Sequence, residues 1–165
     1  MFRMSRTVTR TFPLPPRELV EGMTGEDYLT ARTAHYGGRS AATVTRDGGA
    51  VVVRFPRRLP LDALPGPLRS LAGSGELVQV EEWDTIGDDR CHATWHTESS
   101  MPGKIDGTFE VVPDGTGSRY TVVANAKVNV PLIGGRLSKE VEGHVVRLVE
   151  DEMDFAAEWL ERQDQ

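Results

Sequence analysis

The chain is 165 residues long, 38% hydrophobic and 27% charged, with a formal net charge of −6. That length and balance fit one globular domain, residues 1–165, with a core of its own, and exclude wholesale disorder. Net negative charge argues against a nucleic-acid partner, and no apolar run approaches the roughly 18 residues that a membrane-crossing helix needs.

In chain order, the segment up to Pro16 carries Arg3, Arg6 and Arg10 and has no apolar signal-peptide core. Within it, Ser5 to Phe12 alternates threonine or arginine with valine and phenylalanine, which predicts a half-buried strand. Pro13, Pro15 and Pro16 end that strand. Arg17 to Met23 and Glu26 to His35 read as two short helices, with Thr24 the expected cap of the second. Ala42 to Arg46 and Ala50 to Phe55 flank Asp47-Gly48-Gly49, a tight hairpin signal. Further strands are predicted at Glu76 to Trp83, Arg90 to Glu98, Lys104 to Val112 and Arg119 to Val130, separated by glycine- and proline-containing turns. A long amphipathic helix closes the chain. Strands in succession, two small helices after the first and one long helix last describe an α+β domain.

Between the hairpin and the next strand, Leu59 to Leu71 is apolar but broken by Pro60, Pro65 and Pro67, with Arg57, Arg58 and Arg69 alongside. It reads as a loop packed over the core, as a lid at a cavity mouth, or as a surface-contact segment. Strand parity sorts the rest. Cys91, Ala93 and Trp95 share one face; so do Ile105, Gly107, Phe109 and Val111, and Tyr120, Val122, Ala124, Ala126 and Val128. Each opposite face is polar, as expected of a sheet with core on one side and water on the other. The small residues on the inner face either permit close packing or leave space. On the terminal helix, Leu137, Val141, Val145, Leu148, Phe155 and Trp159 form one apolar stripe, while Glu140, Glu142, Glu150, Asp151, Asp154 and Glu158 fall on other faces. Gly143, inside that helix, implies close approach to the sheet or room for a ligand.

The chain has no cofactor- or metal-binding motif and no recognisable nucleophile elbow or phosphate loop. His92 and His96 are about 13 Å apart along a strand, too far for one metal ion, and their parity turns them from the core. Cys91, the single cysteine, excludes an internal disulfide and fits a reducing cytoplasm. Its inner-face parity makes it a small core residue.

The order of elements, the Val130-Pro131-Leu132-Ile133-Gly134-Gly135-Arg136-Leu137 junction, Glu82-Trp83 and Gly103-Lys104-Ile105-Asp106-Gly107-Thr108 together resemble a bacterial family of the START-like (helix-grip, SRPBCC) superfamily. That superfamily includes lipid-transfer proteins, polyketide cyclases and pollen-allergen relatives. The resemblance implies a curved antiparallel sheet of about seven strands gripping the C-terminal helix, with a cavity between them. It implies binding or carriage of a small hydrophobic ligand: a lipid, a polyketide or an isoprenoid-like molecule. The alternative is an enzyme of the cyclase or dehydratase type, which needs a buried acid–base group; His144, Glu82 and Tyr120 are the candidates. Parity then nominates Trp95, Phe109, Val128, Leu137, Val141, His144 and Val145 as cavity lining. The binding reading expects an uncharged wall with few polar groups.

Overall fold

The first strand is longer than its alternation predicts. In the computed structural model β1 runs Phe2–Phe12, starting before Ser5 because Phe2 and Met4 are themselves inward anchors. The structure describes residues 2–38, 40–64, 66–101, 103–128 and 135–163, without the side chains of Ala63, Pro67, Leu68, Leu71 and Leu137. Most of the Val130–Leu137 junction therefore lies outside the described residues.

Two short helices follow, α1 (Pro16–Met23) and α2 (Glu26–Tyr36). Pro16 opens α1 where its missing N–H is not needed, and Gly37 closes α2 at φ 69°, a left-handed conformation that suits glycine. Thr24 does not cap α2. Its hydroxyl turns back to the Val20 carbonyl at 2.8 Å, and Gly25 occupies the cap position instead.

The remaining strands are β2 (Thr43–Asp47), β3 (Ala50–Arg58), β4 (Glu76–Ile86), β5 (Cys91–Glu98), β6 (Lys104–Asp114) and β7 (Gly117–Val128). The sequence reads the segment between β3 and β4 as an irregular connection. It instead holds a 3-10 turn at Leu61–Ala63 and a short helix, α3 (Gly66–Leu71). Arg69 holds it in place, donating to the carbonyls of Leu61 and Leu64 at 3.0 Å each. The long terminal helix is α4 (Gly135–Gln163).

All neighbouring strands pair antiparallel in the order β1-β7-β6-β5-β4-β3-β2, so the first two strands of the chain become the two sheet edges. A register shift between Trp83 and Thr85 bends β4, and such bulges increase local curvature and twist. The curved sheet grips α4, and ion pairs from β1 fix the helix against the edge: Arg6 to Glu142 at 3.1 Å, and Arg10 to Asp154.

Among the described residues, the buried apolar side chains form two clusters. The larger joins Leu19, Val20, Phe55, Trp83, Phe109 and Met153, among others. The smaller is Phe2, Met4, Ala126 and Val141, with Val128 and Val145 packed against it at the start of α4. Gly143 belongs to neither close packing nor ligand space. Among the described residues, a Cβ built there meets only the Arg147 guanidinium, at 3.5 Å. Gly143→Ala is therefore expected to raise stability by up to about 1 kcal/mol, the helix penalty of glycine. The check is a higher urea midpoint with an unchanged m-value.

Candidate functional site

Inward-facing positions of β4 to β7, facing α4, line a cavity of about 130 Å³. Its aromatic wall follows from strand parity. Trp95 stacks on Phe109 with ring centroids 5.9 Å apart and planes 15° from parallel, and Trp83 lies 5.7 Å from the same phenyl ring. Val122 contributes from β7, and Val145 and Met153 from α4.

The opposite wall is charged, contrary to the expectation of an uncharged lining. Odd positions of β3 run Val51, Val53, Phe55, Arg57, and those of β4 run Leu77, Gln79, Glu81, Trp83, so both strands carry polar side chains inward. Arg32 comes from α2 and Glu152 from α4. These five side chains close a hydrogen-bonded ring. Arg32 donates to both oxygens of Glu81 (Nη2 to Oε2 2.9 Å, Nη1 to Oε1 3.3 Å) and to Glu152 Oε1 at 2.9 Å. Arg57 Nη1 donates to Glu152 Oε2 at 2.8 Å and to Gln79 Oε1 at 3.0 Å. Gln79 Nε2 completes the circuit to Glu81 Oε2 at 2.7 Å. Two arginines balance two glutamates, which is how buried charge is tolerated. The Arg32 guanidinium also lies 4.1 Å from the Phe55 ring centroid, and that of Arg57 lies 4.8 Å from Tyr36.

The ring fixes protonation states. Burial alone would push Glu152 up, but Arg57 and Arg32 outweigh it and hold the carboxyl down at about 2. Burial pushes the phenols of Tyr28 and Tyr120 up, so both stay neutral. Because Glu152 binds its proton more weakly folded than unfolded, its contribution to stability is complete above its ordinary value of 4.5. That contribution fades as pH falls from there toward about 2. Urea midpoints between pH 6 and pH 2 are expected to drop across that window, and to drop less steeply in Glu152→Gln.

The structure separates the seven nominated lining residues. Trp95, Phe109 and Val145 border the cavity. Val128 and Val141 pack instead against Phe2 and Met4, because the early start of β1 fills that end of the grip. His144 accepts a hydrogen bond from Arg147 Nη2 at 3.1 Å on the helix flank and does not reach the cavity. The side chain of Leu137 lies outside the described residues. Of the acid–base candidates, Tyr120 borders the cavity and Glu82 is exposed on the outer face of β4. His92 likewise faces outward, paired with Asp84 at 2.9 Å. Among the described residues, no group of three or more His, Cys, Asp or Glu side chains could hold a metal ion, and no helix is long and apolar enough to cross a membrane.

Arg57, Leu59 and Leu148 border both the cavity and a more open groove of about 520 Å³, edged by Tyr36, Phe155, Asp151 and Glu158. Leu59 belongs to the segment that the sequence offers as a lid, and it stands between the two spaces.

A family model described as "Protein of unknown function (DUF2505)" matches residues 7–160. The chain belongs to the DUF2505 family. No curated protein matches it. Solved structures give the fold of this DUF2505 member a wider setting. TTHA0849 from Thermus thermophilus superposes with a TM-score of 0.66 at 16% identity, covering 98% of this chain and 100% of that one. The Zhui aromatase/cyclase from Streptomyces sp. R1128 gives 0.64 at 14% identity, covering 99% and 96%. A START superfamily protein from Mycobacterium smegmatis gives 0.55 at 11% identity, covering 97% and 99%. At these identities the likeness establishes a START-like helix-grip fold, and the site must carry any argument about function.

Proposed function

We propose that this DUF2505 protein binds and carries a small, predominantly apolar molecule in the cavity between the sheet and α4. The observation that carries the reading is an internal space of about 130 Å³ faced by Trp95, Phe109, Val122 and Val145. An apolar cavity of about 150 Å³ is enough to hold benzene, so a space of this size suits a single ring. A lipid or isoprenoid would have to extend past Leu59 and Leu148 into the groove, where the combined space reaches the range of roughly 300–1,000 Å³ typical of ligand pockets.

Binding is favoured over acid–base catalysis by the groups at hand. Glu152 is held ionised and Tyr120 neutral, each far from the near-neutral pKa that suits a general acid or base. His144 and Glu82 stand away from the cavity. A small apolar ligand and a cytoplasmic setting complete the reading; the net charge of −6 disfavours nucleic acid as a partner.

The test is mass spectrometry of an organic extract from protein purified without detergent, against a mock preparation. A specific apolar species near one-to-one stoichiometry is expected from the wild type and not from Val145→Phe, which fills the cavity. An extract indistinguishable from the mock, together with no thermal stabilisation by any ring-sized apolar compound, would sink the reading.

A further inference from the structure

Tyr28 from α2 and Tyr120 from β7 both border the cavity. They are 4% and 8% exposed, and among the described residues neither hydroxyl has a hydrogen-bond partner. The indole nitrogens of Trp83 and Trp95 are also unpaired, but they have no open surface. The two phenol oxygens keep some, and the space they border is the cavity. The Thr97 hydroxyl, also on the wall, is turned to the Ile105 carbonyl at 3.5 Å. The ring of charged side chains is closed on itself, since each carboxylate oxygen of Glu81 and Glu152 accepts at least one hydrogen bond within it. A buried hydroxyl without a partner forgoes a hydrogen bond that it makes in water, so the two phenols form a polar spot that something in the cavity can satisfy. Much of the remaining wall is flat and aromatic, with Trp83 and Trp95 each against Phe109.

The two hydroxyls sit in opposite fields. Of the charges around Tyr28, that of Arg32 acts most strongly; around Tyr120, that of Glu81 does. A hydroxyl dipole turns its oxygen toward a cation and its proton toward a carboxylate. Tyr28 is thus left with a proton to donate into the cavity, and Tyr120 with a lone pair to accept. From this pair of phenols we infer that the cavity selects a ring-sized molecule bearing a hydroxyl, its ring on the aromatic wall and its hydroxyl accepting from Tyr28 and donating to Tyr120. The inference rests on the binding reading above and gives it a chemical class. A neutral hydroxyl accepts and donates through one atom, as this pair requires. An ammonium or a carboxylate in its place would be a buried charge beside a ring whose own charges already balance.

Phenol and toluene differ by a hydroxyl against a methyl group, and calorimetry on the full chain compares their affinities. Phenol is expected to bind at least as tightly as toluene, although toluene is the more hydrophobic. Tyr28→Phe and Tyr120→Phe keep the ring and remove the hydroxyl, and neither change breaks a hydrogen bond of the fold. Each is expected to weaken phenol about fivefold, the equivalent of one hydrogen bond, while leaving toluene within about twofold. Tighter binding of toluene than of phenol to the wild type overturns the inference and leaves apolar binding standing. So do variants that weaken both ligands alike, or that leave phenol unchanged. Weakening of phenol by one variant alone overturns the choice of a hydroxyl, because the ligand oxygen is then held from one side only. Failure of both ligands to bind the wild type removes the binding reading itself, and this inference with it.

Discussion

Replacing Glu152 with alanine is expected to cost about 3–5 kcal/mol of folding stability, the usual consequence of removing one partner from a buried ion pair. The magnitude comes from what is left behind more than from what is lost. Glu152 accepts from both Arg57 and Arg32, whose side chains are only 7% and 8% exposed. Without it, Arg57 keeps Gln79 as a neutral partner and Arg32 keeps Glu81, so the buried ring carries an uncompensated positive charge. Burial then works directly against that charge. Glu152→Ala combined with Arg57→Met restores charge balance, with Arg32 facing Glu81. The double variant is therefore expected to lose less than the sum of the two single losses, by about 1–3 kcal/mol. Urea denaturation of the wild type, both single variants and the double variant measures that coupling. A loss below about 1 kcal/mol for Glu152→Ala alone would mean that water screens the ring, as it screens surface pairs.

The same ring marks the limit of what was legible in the sequence. Parity placed Cys91, Ala93 and Trp95 inward, and all three are buried; Asp47-Gly48-Gly49 gave the expected hairpin, with Gly48 and Gly49 both at positive φ. Those are local signals, readable within a few residues. Arg57, Gln79 and Glu81 also sit at inward parity, beside Phe55 and Trp83, but a charged residue at an inward position makes sense only once its partner is known. The partners are on α2 and α4, and no local pattern joins residue 32 to residue 81 or residue 57 to residue 152. One signal was available. The apolar stripe of α4 jumps seven residues from Leu148 to Phe155, and Glu152 is the residue four after Leu148 that fills the gap. A carboxylate in the middle of a core-facing stripe implies a buried cation opposite. Periodicity also says which face a residue occupies without saying where along the grip it lies. Val128 and Val141 are inward as expected, yet the space beside them is filled by Phe2 and Met4.

Gly107→Ala is expected to destabilise the protein by about 3 kcal/mol, at the upper end of ordinary overpacking costs, although it adds a single methyl group. Gly107 lies on β6 opposite Trp95 on β5 and Ala124 on β7. A Cβ built at this position falls 1.8 Å from the Val123 carbonyl oxygen and 2.7 Å from Trp95 Nε1. The indole can swing away from such a contact, but the oxygen is main chain in the middle of a paired strand. Relief requires β6 and β7 to part locally, at the expense of ladder hydrogen bonds. The inner-face small residue thus serves close packing: its missing side chain lets the Trp95 indole lie flat over the strand, where it forms a wall of the cavity. Two readouts follow from that geometry. The urea midpoint falls, and the near-ultraviolet dichroism of tryptophan changes as Trp95 leaves its stack on Phe109. Gly143→Ala is the control, since the same chemical change on α4 meets only a flexible arginine and moves stability the other way. If Gly107→Ala matches the wild type in both readouts, the close passage of β7 behind Gly107 is wrong, and with it the position of the indole that walls the cavity.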